Sequence, residues 1–151
     1  MSIVYACFLI VIFFIDLEHQ LILDKVSYPG VLVAFVFSFL WPGLGVVDAV
    51  IGAAVGFGML FLPYIIYPKG MGIGDLELAI VIGLMVGGPE QVLVGILMGI
   101  IGGGLIAVIL IASGIKKRRE AIPFGPFLCM GAMAALVWGQ DIADWYFGLF
   151  K

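Results

Sequence analysis

Between Glu90 and Lys116 no side chain carries a charge, and the same is true between Lys25 and Asp48 and between Asp48 and Lys69. Uncharged apolar stretches of that extent constrain a chain more than any other feature, because water cannot be the solvent for most of their surface. Charged residues make up 11% of the chain, against roughly a quarter in soluble domains. The mean hydropathy is +1.29. The surrounding solvent is therefore lipid, and the fold expected is an all-α integral membrane protein. The apolar segments follow one another with only brief connections, so a single membrane-embedded domain over residues 1–151 is expected. The first apolar run has no basic n-region and no small-residue cleavage site, and it does not read as a removable signal peptide.

Charged residues, prolines and glycines divide the sequence into six apolar segments: Ser2–Ile15, Val26–Trp41, Val46–Tyr67, Asp75–Gly87, Gln91–Ile115 and Pro126–Gly139. A membrane-spanning helix needs about 20 residues, with about 17 as the lower limit. Val46–Tyr67 and Gln91–Ile115 meet this readily, whereas the first, fourth and sixth segments are short and must extend into polar flanks. Alternating six spans places the connections Asp16–Lys25, Pro68–Gly74 and Lys116–Gly125 on one side. These hold Lys25, Lys69, Lys116, Lys117, Arg118 and Arg119, six of the seven basic residues. The positive-inside rule then predicts six transmembrane helices with those connections cytoplasmic and both termini outside.

Glycines recur at four-residue spacing in Gly52-x-x-x-Gly56, Gly83-x-x-x-Gly87, Gly95-x-x-x-Gly99 and Gly99-x-x-x-Gly103. Small residues on one helix face let helix backbones approach closely in lipid, so these are read as packing seams. Cys7 and Cys129 stand alone in apolar runs, without a Cys-x-x-Cys, and are read as buried small hydrophobes.

Two acidic residues stand out. Asp16 ends the first apolar run and Asp75 opens the fourth. Ionisable residues at membrane depth are usually functional, and the predicted topology puts both at the cytoplasmic face. Two carboxylates within hydrogen-bonding range cannot both ionise readily, so one keeps a proton while the other accepts one. Such a pair can activate a water as general base and protonate a departing amine as general acid. No His-Glu-x-x-His zinc motif is present, and the single histidine, His19, has no thiol near it in sequence. Ordinary structural roles remain open at this level. Either aspartate alone can be an interfacial charge, Asp75 can be a helix N-cap, and the glycines of Gly70-Met71-Gly72-Ile73-Gly74 can form a loose turn. If the site is catalytic, Gly72 and Gly74 let backbone pass close to a substrate strand.

Gly72-Ile73-Gly74-Asp75 resembles the Gly-x-Gly-Asp signature of the type IV prepilin peptidases. The stretch from Phe14-Ile15-Asp16-Leu17-Glu18-His19 to Asp24 is similar to their first catalytic segment, and Ile122-Pro123-Phe124-Gly125-Pro126 to a Pro-Phe-Gly-Pro motif before the last helix. The resemblance covers nearly the whole chain with its motifs in order. It implies an aspartic endopeptidase that cuts the short leader from type IV prepilins and pseudopilins at the cytoplasmic membrane face, typically after a glycine. Asp16 and Asp75 would be its catalytic aspartates, with no metal or other cofactor. Relatives often carry an N-terminal methyltransferase part with paired Cys-x-x-Cys motifs, which this sequence lacks, so product methylation is not expected of it. Leu23 stands where relatives often have proline, and Glu77 where lysine is frequent.

Glu18, Asp24 and Glu77 crowd the predicted cytoplasmic rim and are expected to attract the basic leader electrostatically; a solvated rim without that role is the alternative. Lys116-Lys117-Arg118-Arg119 reads as a topology anchor and anionic-lipid contact. Trp41, Trp138, Trp145 and Tyr146 fit an outer aromatic belt. The partners expected are prepilins or pseudopilins and membrane lipid, not nucleic acid, in the inner membrane; the oligomeric state is open. Competing functions are a small ion-coupled transporter, which should show broken helices or an inverted repeat, a presenilin-like protease, which should have more helices, and an inactive pilus assembly factor.

Overall fold

The computed structural model describes residues 2–19, 32–34, 36, 45–66, 71–115 and 124–148. Five helices have described bounds: α1 (Ser2–His19), α2 (Val46–Ile66), α3 (Ile73–Val86), α4 (Pro89–Ala112) and α5 (Gly125–Gly148). Residues 32–34 and 36 are helical as well and mark a sixth helix between α1 and α2. No strand occurs among the described residues. In an apolar solvent every backbone N–H and C=O must find its partner within the chain, and a helix achieves this locally. Three helices are long and apolar enough to cross a membrane, Val46–Ile66, Pro89–Ala112 and Gly125–Tyr146. At 1.5 Å per residue each is about 30 Å or more in length, the thickness of a hydrocarbon core.

The helix ends differ from the segment ends read in the sequence. α1 continues through Asp16 to His19, so Asp16 lies on the helix rather than after it. The last helix runs past Gly139 to Gly148. Gln140, Asp141 and Asp144 interrupt its hydrophobicity but not its backbone, because all three are exposed while Ala143 among them is buried.

α3 is the hub. With 14 residues it is only about 21 Å long, and every residue from Val81 to Val86 is buried. Such all-round burial marks a central helix. It packs chiefly on α2 and also touches α4 and α5, while α5 packs along α4 and against α1. Leu78, Ile82, Met85, Ile96, Leu128, Leu9 and Ile12 form the buried centre. The turn from α3 to α4 is made by Gly87 and Gly88. Gly87 has φ 83° and its N–H returns to the Gly83 carbonyl at 3.0 Å, a left-handed C-terminal stop that favours glycine. Pro89 then takes the first position of α4, where its missing N–H is no loss.

The glycine seams are where these backbones meet. A Cβ on Gly56 would sit 2.6 Å from the Ala79 carbonyl oxygen, and one on Gly52 would sit 2.7 Å from that of Gly83. The second seam joins α4 to α5, where a Cβ on Gly99 would lie 3.0 Å from the Leu128 Cα.

One expectation fails here. Cys129 is buried, but Cys7 is exposed on α1. A small apolar side chain facing lipid carries no penalty, so hydrophobicity does not distinguish core from periphery in such a chain. Trp138, Trp145 and Tyr146 are exposed on α5; Trp41 lies outside the described residues.

Candidate active site

Asp16 and Asp75 are 4% and 8% exposed, and they are the only buried charged side chains among the described residues. Each comes from a helix end. Asp16 sits one turn before the end of α1, on the face carrying Leu9 and Ile12, which are buried against the bundle. Asp75 is the third residue of α3, after Gly72 in the capping position. The Gly72 N–H donates to Asp75 Oδ2 at 3.0 Å, and the Asp75 N–H donates to the Gly72 carbonyl at 3.2 Å. Asp75 is thus not the N-cap itself. It closes the first turn from inside, where the helix dipole also favours a negative group.

α5 packs against both α1 and α3, the helices that carry the two carboxylates. Its first residue, Gly125, is buried, and its backbone amide lies near the Asp16 carboxylate. One turn along the same face, buried Cys129 lies within electrostatic reach of both aspartates, and the Asp16 charge acts on Asp75. The end of α1 and the start of α3 thus hold two buried carboxylates within electrostatic reach of each other and of the start of α5.

The other expected site residues are placed differently. Glu18 follows Asp16 by two positions, about 200° around the helix, and is exposed. Glu77 has the same relation to Asp75; it is half-buried, with Oε2 enclosed. Gly72 is exposed and Gly74 half-buried beside Asp75, and the Gly72 N–H already serves the Asp75 carboxylate. Asp24 lies outside the described residues, as do Lys25, Lys69 and the Lys116–Arg119 cluster. Among the described residues no three His, Cys, Asp or Glu side chains converge as a metal-binding set.

Two participants were not singled out from sequence. Gly125 was legible only as part of a motif, although Pro126 behind it marks a helix start and hence a free N–H. Cys129 carried no signal beyond its hydrophobic neighbours.

The profile of the type IV leader peptidase family matches residues 3–113, a span that contains both aspartates, and the chain belongs to that family. Among its relatives is a prepilin leader peptidase/N-methyltransferase of Aeromonas hydrophila, 32% identical over 144 residues, covering 91% of this chain and 49% of the relative. The protein of the same name from Xanthomonas campestris is 31% identical over 150 residues, 96% of this chain and 52% of the relative. That from Escherichia coli K12 is 31% identical over 139 residues, 87% and 60% respectively. The chain thus spans about half the length of the first two and somewhat more of the third. No solved structure matches it.

Proposed function

We propose that the chain is a membrane aspartic endopeptidase that removes the short basic leader from type IV prepilin-like substrates. The observation that carries this is the burial of Asp16 and Asp75, the sole buried charges among the described residues, within electrostatic reach of each other in a member of the leader peptidase family. In the reaction one carboxylate is ionised and the other protonated. The ionised group takes a proton from a water that attacks the scissile carbonyl, while the protonated one hydrogen-bonds to the carbonyl oxygen. Collapse of the resulting tetrahedral species breaks the C–N bond, and a carboxyl proton passes to the departing amine. The start of α3 supplies room for an extended substrate strand: Gly72 contributes the absence of a side chain, and the amide available for pairing is that of Gly74 rather than Gly72.

The site faces the cytoplasm in this reading, with both termini outside in a multi-pass arrangement in the inner membrane. The support is the gathering of basic residues in three alternate connections together with the six helices among the described residues. Incubating the purified full chain in detergent with a prepilin, and following leader loss on a gel, tests the proposal. No cleavage by the unsubstituted chain would refute it.

Glu18, Asp24 and Glu77 attract the basic leader in this scheme, and Glu18 is the exposed one among the described residues. Exposed charges are screened over about 8 Å at physiological ionic strength. Raising ionic strength from about 0.05 M to about 0.5 M is therefore expected to raise KM for a basic leader peptide about two- to threefold with kcat unchanged. Glu18→Gln should raise KM in the same sense and flatten the salt dependence. A KM indifferent to salt would show that the rim is only solvated.

A further inference from the structure

Contacts at the glycine seams set the level of each helix against its neighbours. A Cβ on Gly52 would lie 2.8 Å from the Gly87 carbonyl oxygen and 3.2 Å from a Val92 methyl. One on Gly56 would lie 2.6 Å from the Ala79 carbonyl oxygen and 3.3 Å from Ile96 Cδ1. α2 and α4 therefore run in the same direction and α3 runs against them, with Gly56, Ala79 and Ile96 at one level. Counting from Ala79 at 1.5 Å per residue, Ile73 stands about 9 Å nearer the C-terminal ends of α2 and α4, level with about Gly102. That is close to the middle of α4, which continues for about 15 Å more, to Ala112. No charged side chain occurs in α4 after Glu90, and past Gly102 the side chains of Leu105, Ile106, Val108 and Ile109 are exposed. A half-helix of that composition stands in hydrocarbon. The start of α3 is sunk beside it, well below the membrane surface.

The backbone there is neither helical throughout nor covered. Met71 and Gly72 precede the helix, and Gly72 is exposed. A Cβ on Gly72 would meet only its own turn, Asp75 Oδ2 at 3.7 Å and the Gly74 nitrogen at 3.9 Å. Ile73 is 64% exposed. The Ile73 and Gly74 N–H groups have no carbonyl a turn behind them, and no acceptor meets them among the described residues. Irregular backbone at hydrocarbon depth occurs only where it is buried in protein or lines a water-filled cavity, and this stretch is not buried. We infer that a water-filled recess enters the bilayer alongside the second half of α4 and reaches the start of α3, with Gly72 and Ile73 on its floor. Asp75 Oδ2, which accepts the Gly72 N–H at 3.0 Å, borders that floor. The recess follows from the packing of α2, α3 and α4 and holds whatever the chain cleaves. Hydrolysis would draw its attacking water through it.

Ile101 provides the comparison that depth alone cannot explain. It stands on α4 at about the level of Ile73 and is 66% exposed, but it faces lipid. Ile73→Cys and, separately, Ile101→Cys are made in the full chain with Cys7 and Cys129 changed to alanine. Membranes opened by freeze–thawing are then treated with a permanently charged methanethiosulfonate reagent, which does not enter hydrocarbon. A thiol reacts as its thiolate, which also needs water. Ile73→Cys is expected to label about tenfold or more faster than Ile101→Cys. Equal rates, slow or fast, overturn the inference, since the two positions would then share one solvent. Gly72→Cys repeats the test should Ile73→Cys fail to fold: the backbone at Gly72 is extended, with φ −78° and ψ 154°, which any residue adopts. It too is expected to label fast, and labelling as slow as at Ile101→Cys would refute the recess. Leader removal by the unsubstituted chain is assayed alongside. Fast labelling with an inactive parent overturns the proposed function and supports the recess.

Discussion

Asp16→Asn and Asp75→Asn should each lower the rate of leader cleavage by roughly 10²–10⁴-fold while leaving the protein folded. Asparagine is the same shape as aspartate, and its amide oxygen still accepts a hydrogen bond. The Gly72 N–H keeps its acceptor in Asp75→Asn, so the first turn of α3 stays closed. What disappears is the ability to exchange a proton. Removing a buried charge also relieves desolvation, so the unfolding temperature in detergent should hold or rise as activity vanishes. If the aspartates served only to cap helices or mark an interface, activity would follow stability, and these variants would cleave normally. An inactive assembly factor would show no cleavage in the parent either.

The second large effect concerns distance between backbones rather than chemistry. A Cβ on Gly131 would collide with the Gly95 carbonyl oxygen and lie 2.7 Å from the Gly99 nitrogen. A Cβ on Gly83 would collide with the Gly52 carbonyl oxygen and the Ala53 Cα. Backbone atoms in packed helices cannot turn aside as a side-chain tip can. Gly131→Ala and Gly83→Ala must therefore push α5 from α4 and α3 from α2, each costing about 1–3 kcal/mol by overpacking and lowering the unfolding temperature. Gly58 and Gly104 provide the control, since a Cβ at either position has nothing within 4 Å. Alanine there should be neutral or stabilising by up to about 1 kcal/mol, because it is the better helix former. The contrast isolates packing from propensity, which has the opposite sign. Activity should fall with the first pair as well, because α3 carries Asp75 and α5 packs against α1, which carries Asp16.

Much of the helical order was readable because charge is so sparse. Lys25, Asp48, Lys69, Glu90 and Lys116 bound apolar stretches that allow little except helices in lipid. Helix ends were less legible. Polarity at Asp16 or Asp141 changes what a residue prefers to face, not whether the backbone continues, and both helices run on past these residues. Which helix lies against which could not be read at all. Helices that are apolar on every side carry no pattern to distinguish a neighbour from lipid, as the exposure of Cys7 beside the burial of Cys129 illustrates. The glycine spacings announced close approaches without naming partners; only in three dimensions does Gly131 meet Gly95 and Gly99, or Gly83 meet Gly52. The acidic pair was legible as two residues on one predicted side. The placing of the start of α5 beside Asp16 was not, because which helix packs on which leaves no mark in the residue alphabet.

The central claim is spatial: side chains far apart in sequence, on α1 and on α3, occupy one site. Cysteines in place of Asp16 and Asp75, in a chain with Cys7 and Cys129 changed to alanine, measure this directly when treated with a short thiol crosslinker in membranes. A crosslink within one chain, seen as a mobility shift that reduction or protease cutting between α1 and α3 identifies, is the predicted result. Failure to crosslink, or products formed only between separate chains, would contradict it.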